Sequence, residues 1–202
     1  MTSVTRLRAR SALVSGVALL LLAGAVGCDS GDDIGGKGEN DEGSSSSEHG
    51  SDTPGVETVT TIEHGVGLDA AAQARAIEHI TAAIDPWFDE GFLGEFPRSD
   101  FSPAFATFTK GAAADAQRDL ALLSNSGLAD QIDTATATNR RVRLDVFAPG
   151  GRPRGVTANF VLDFDTTGDL EEHLRLHGSL YLTRVKHTWK VFGYDVDEVT
   201  PL

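Results

Sequence analysis

Cysteine is nearly absent from this chain: one in 202 residues, beside one methionine, two tryptophans and two tyrosines. A single cysteine rules out an intramolecular disulfide, so an exported domain must be stable through its core alone. Basic residues are also scarce, with 17 Lys and Arg against 30 Asp and Glu, a formal charge of −13. Arg6, Arg8 and Arg10 precede Cys28 and every acid follows it, so removing the first 27 residues leaves 14 bases against 30 acids, or −16. Such a surface repels phosphate backbones and anionic lipid headgroups. Nucleic acid is therefore not an expected partner, and any membrane attachment has to be covalent or hydrophobic. No Gly-rich phosphate loop is present, since Gly150-Gly151 sits in a turn with no helix after it, and no nucleophile-elbow serine motif occurs. What remains is the composition of a soluble globular protein with room for one ordinary domain.

The first ten residues carry three arginines, and an uncharged run follows from Ser11 to Cys28, centred on Val17, Ala18 and Leu19 to Leu22. This is the basic n-region and apolar h-region of a secretory signal. The run closes on Ala25-Val26-Gly27-Cys28, small residues directly before the sole cysteine. It resembles the lipobox of bacterial lipoproteins, although Ala25 stands where that family usually has Leu. The resemblance implies cleavage between Gly27 and Cys28 and a diacylglyceryl group on the Cys28 sulfur. Two chains suffice for stable anchoring, each buried methylene contributing about 0.8 kcal/mol. The competing reading is an uncleaved signal anchor, because the run approaches the length of a membrane-spanning helix. Under either reading the basic flank stays in the cytoplasm and the rest lies on the extracytoplasmic face of the cell membrane.

From Asp29 to Gly55 the chain turns to Gly, Ser, Asp and Glu, with Ser44 to Ser47 a homopolymer and Ile34 the one sizeable apolar residue. It cannot bury enough surface to offset the entropy of ordering, so a disordered tether over 28–55 is expected. A Gly-rich coil of this length spans roughly 30 Å end to end. The lone His49 is read as solvated linker rather than as a metal ligand.

Beyond Val56, residues 56–202 divide into a helical half and a strand half, the pattern of an α+β domain. Asp69 is a candidate N-cap for a helix over Ala70 to Ile84, with Ile77, Ile80 and Ile84 on one face. Asp85-Pro86 should end or redirect it. An aromatic group (Trp87, Phe88, Phe92, Phe96) and Phe101, Phe105 and Phe108 follow, read as core. A second helix from about Ala112 is expected to carry Leu120, Leu122 and Leu123 up to Asn125-Ser126-Gly127. After Ala135 the period becomes alternating. Val142, Leu144 and Val146 oppose Arg141, Arg143 and Asp145; Val156 to Phe164, Leu174 to Leu182 and Trp189 to Val199 make three further strands, with turns at Pro149-Gly150-Gly151, Thr166 to Asp169 and Lys186-His187. The expected architecture is N-terminal helices packed on a curved antiparallel sheet of about four strands.

Helices followed by Leu174-Arg175-Leu176-His177-Gly178-Ser179-Leu180-Tyr181-Leu182 and then Trp189-Lys190-Val191-Phe192-Gly193-Tyr194-Asp195-Val196 resemble the cone-shaped nuclear-transport-factor-like fold. That group includes polyketide-cyclase-like domains and small proteins associated with mammalian-cell-entry transport systems. The resemblance spans about Leu68 to Val199, and because such folds host enzymes and binding modules alike it selects no function.

His173 and His177 stand four apart, the spacing of a helical zinc pair; on a strand they lie roughly 13 Å apart, too far for one ion. No metal and no cofactor is expected. Asp163, His177, Tyr181 and Tyr194 are the candidate pocket residues, since proton-transfer enzymes of this shape place a His or carboxylate inside the cone where burial shifts its pKa. No spacing among them demands a catalytic dyad. The first expectation is a non-catalytic, membrane-tethered accessory lipoprotein that binds an envelope protein or a small apolar ligand. The alternative is a small cyclase-, isomerase- or hydrolase-type enzyme using a buried Asp/His pair. A cone filled by Trp and Phe would argue against that alternative.

Overall fold

A computed structural model describes residues 56–202; the leader, Gly27, Cys28 and the tether lie outside the described residues. The chain runs through β1 (Val59–His64), α1 (Ala70–Gly91), β2 (Gly94–Glu95), α2 (Lys110–Arg118), β3 (Ile132–Phe147), β4 (Gly155–Gly168), β5 (His173–Val185), β6 (Thr188–Val196) and β7 (Thr200–Pro201). Short 3-10 turns lie at Ser102–Phe105, Asn125–Gly127 and Pro149–Gly151. No described helix is long and apolar enough to cross a membrane.

The expectation of N-terminal helices on an antiparallel sheet of about four strands is corrected: the domain is a seven-stranded mixed sheet with two α-helices among the described residues. The four long strands β3 to β6 form the antiparallel meander read from the alternation. Three further strands were not expected. β1 precedes α1 and lies parallel to β3, with Val59 opposite Arg141 and Ile62 opposite Leu144. A parallel neighbour requires a long crossover, and the stretch containing α1 and α2 supplies it. β2 pairs with β3 at Thr134 and Ala135, and β7 pairs with β5 at Leu174 and Arg175. Two residues carry no period, so neither was legible as a strand.

α1 begins where expected, with the Asp69 carboxylate accepting from the Ala72 amide at 2.7 Å. It does not end at Pro86 but continues to Gly91. Proline forfeits one helical hydrogen bond. The turn after it brings Trp87 and Phe88 into the core, both fully buried, and that burial outweighs the break. α2 is shorter than expected: Thr109 caps it and it stops at Arg118, so Leu120, Leu122 and Leu123 follow the helix instead of riding on it. Leu123 is fully buried there.

Parity along β3 changes at a bulge between Ala137 and Asn139. Ala135 and Ala137 face the helices before it; Arg140, Val142 and Leu144 do so after it. One extra residue flips the alternation, which is how Ala135 and Ala137 come to share the helix side with Arg140, Val142 and Leu144. On β5, a Cβ at Gly178 would run into the Asp195 carbonyl and the Val196 backbone, so only glycine lets β6 approach so closely there.

Candidate functional site

The space between α1 and the sheet is filled. Trp87 meets Phe160 edge-on at 5.1 Å and Phe92 at 5.4 Å, and Phe88 meets Phe160 at 5.7 Å. The indole N–H of Trp87 donates to the Leu123 carbonyl at 3.0 Å, so the one polar atom of that ring is satisfied. Beside them the Arg140 guanidinium donates to Asp89 at 2.8 Å and Asp85 at 3.1 Å, with Phe88 beneath it at 5.3 Å. Burial raises the Asp89 carboxyl above its ordinary range, opposed by the Arg140 charge and hydrogen bond. The inward side of Arg140 follows from its parity with Val142 and Leu144, but its partners Asp89 and Asp85 lie 51 and 55 residues away and no local pattern reports them.

Each candidate pocket residue takes a different partner. Asp163, buried on the sheet face away from the helices, accepts Arg175 Nε at 2.6 Å and Nη2 at 2.9 Å, and Asn139 Nδ2 at 3.0 Å. The Arg175 hydrogen bonds hold its carboxyl below the usual range. His177 lies exposed on the same face and pairs with Asp197 at 2.8 Å. Tyr181 is there too, its ring 6.4 Å from Phe192. Tyr194 lies elsewhere: its hydroxyl donates to Asp119 at the end of α2 at 2.7 Å, and burial followed by Asp119 pushes the phenol up to about 12. The structure thus brings Asp163, His177 and Tyr181 onto one face but joins none of them to another. His173 and His177 bond separate acids, Asp165 and Asp197, as expected of a strand.

Two depressions on the surface of the described residues are large enough to hold a small molecule. One, of about 550 Å³, lies on the outer sheet face around Gly178 and is lined by Arg141, Arg143, Arg175, His177, Ser179 and Asp195, among others. Its charges are largely spent on neighbours, with Arg175 on Asp163 and Arg143 near Glu63 at 3.4 Å. The other, of about 580 Å³, is a groove beside the end of α2, walled by Leu122, Leu128, Leu170, Leu174 and Val199 and carrying Asp119, Glu172 and Glu198. That volume lies in the range of small-molecule sites. Its best sequence signal is Leu170, isolated between acids in the β4–β5 turn.

Glu63, His64 and Asp145 place ligand atoms within 4.8 Å of one another. His64 already bonds Asp145 and Glu63 faces Arg143, so the trio reads as an exposed ion-pair cluster. The chain matches no family model, no curated protein and no solved structure.

Proposed function

We propose that this chain is a lipid-anchored accessory protein of the extracytoplasmic face of the cell membrane, whose domain binds an envelope protein or a small apolar ligand and performs no chemistry. The observation that carries the binding reading is the filled interior: Trp87, Phe88, Phe92 and Phe164 are fully buried and Phe160 nearly so, occupying the place where a cone-fold enzyme holds its substrate. Asp163 and His177, the pair on which the catalytic alternative depended, are engaged by Arg175 and Asp197 instead. A proton-transfer site needs a group free to reach a substrate proton.

The anchor rests on Arg6, Arg8 and Arg10, the apolar run and Cys28. Mass spectrometry of the native protein tests it: the N-terminal peptide should begin at acylated Cys28, and Cys28→Ala should abolish that species. An unmodified or intact N-terminus overturns the anchor. For the binding reading, a photoreactive residue is placed in cells at Ser179 on the outer face, at Leu128 in the groove and at Lys186 in a hairpin turn. Adducts specific to Ser179 or Leu128 are expected; adducts equally abundant from Lys186, or none at all, overturn it.

A further inference from the structure

The groove beside α2 has walls and a rim of different character. Leu122, Leu128, Leu170 and Val199 are half-buried leucine and valine side chains that pack on the core yet leave a shared apolar surface open. Single exposed aliphatics are ordinary, whereas several converging on one concavity of about 580 Å³ form a site that an apolar body fills. The rim is acidic. Asp119 takes one hydrogen bond from Tyr194, and Glu172 and Glu198 make no ion pair among the described residues. Arg118 is the one cation on the lining, and it is occupied: one guanidinium nitrogen pairs with Asp115 and another donates to the Ala114 carbonyl at 3.2 Å. On the wall lies Asn125, 1% exposed. Its Nδ2 donates to the Phe92 carbonyl at 2.7 Å, and its Oδ1 is buried without a partner. A buried acceptor left unsatisfied is uncommon and costly.

We infer that this groove binds a small amphiphilic cation, an apolar chain or ring system carrying an ammonium group. The leucines take the apolar body, and the acidic rim of Asp119, Glu172 and Glu198 favours a positive head. An anionic amphiphile of the same shape meets three carboxylates against the single Arg118, whose charge Asp115 offsets, so charge sets the selectivity and apolar area the affinity. The inference rests on the binding reading above and is independent of the lipid anchor.

The test uses the full-length chain carrying Cys28→Ala, so that no acyl chain of its own competes. Three probes share one tail: octylammonium, octyl sulfate and octanol, each below its micellar concentration. Saturable one-to-one binding of octylammonium is expected, at least tenfold tighter than octyl sulfate, with methyl shifts in the NMR spectrum confined to Leu122, Leu128, Leu170, Leu174 and Val199. Glu172→Lys combined with Glu198→Lys, both at exposed positions, should abolish or invert the preference while circular dichroism stays unchanged. Leu170→Ser should weaken all three probes alike. Equal affinity for the three probes, shifts centred on the outer face around Ser179, or no saturable binding overturns the groove assignment. Shifts around Ser179 would leave the broader binding reading standing, whereas absence of binding here together with absence of crosslinks in cells would remove both.

Discussion

Along β4, Val156, Ala158, Phe160, Leu162 and Phe164 alternate with Thr157, Asn159, Val161, Asp163 and Asp165, so one strand supplies a packed wall on one side and a mostly polar ladder on the other. On the helix side, contacts are between aromatic rings and aliphatic chains, and the cost of losing one is a cavity. On the outer side they are cross-strand hydrogen bonds: Arg175 to Asp163, Ser179 to Asn159, Asn159 to Asp145. Water can replace most of these at small cost. The two faces therefore differ in what they tolerate, and a surface meant to change partners belongs on the tolerant one.

The largest expected effect breaks the helix side. Trp87→Ala should lower the free energy of unfolding by about 3–5 kcal/mol, measured by urea denaturation. Phe192→Ala, on the outer face and 54% exposed, should stay within about 0.5 kcal/mol. Comparable losses from the two would erase the contrast between the faces.

Arg140→Met comes next. It removes the buried cation from between Asp85 and Asp89, and because those acids are partly exposed the expected loss is about 1–3 kcal/mol. Carboxyl NMR should show Asp89 titrating still higher than in the parent, since Arg140 is what opposes the effect of burial. An Asp89 titration that moves down would contradict the assignment.

Asp163→Asn probes the outer face through pH. The Asp163 carboxyl is held below its ordinary range, so its ionised form contributes stability that is present above the unfolded-state pKa of about 4 and is lost as pH falls through the folded value. The variant should be less stable at neutral pH and show a shallower acid-unfolding limb. An unchanged limb would mean the Arg175 pair adds nothing beyond solvation.

The smallest effect concerns Tyr194. Its phenol is raised to about 12, so the Asp119 hydrogen bond contributes below the ordinary tyrosine pKa of about 10 and is lost as pH rises through the folded value. Phenolate absorbance should show a late step that Tyr194→Phe removes and Asp119→Asn brings down, and Tyr194→Phe should cost about 0.5–1 kcal/mol at neutral pH, where the bond is intact.

How much of this was legible depended on the length of each pattern. β3 to β6 span nine residues or more each and announce themselves by alternation. β1 has only six residues, and its pairing with β3 joins segments about 80 positions apart, which no local rule reports. Pro86 misled because a local breaker was weighed without the buried pair that follows it. The aromatic core was legible from composition, since eight of the ten phenylalanines and both tryptophans are buried, with Phe147 and Phe192 left exposed. Of the four candidate pocket residues, the sequence supplied side-chain types but not partners. The groove escaped because its walls come from three separate turns, and only folding gathers Leu128, Leu170 and Val199.

The margins of the meander have a consequence for crowded surroundings. At one margin β3 is flanked by β1 and β2; at the other, β7 takes up β5 where β6 has ended, and the Val191 amide and carbonyl of β6 are held by Thr107 and Thr109 at 3.1 and 2.7 Å. A bare strand edge is a template on which another chain can add and aggregate. Here the middle of the β6 edge is capped at Val191, which shortens the run of backbone that a neighbouring copy could add to along it.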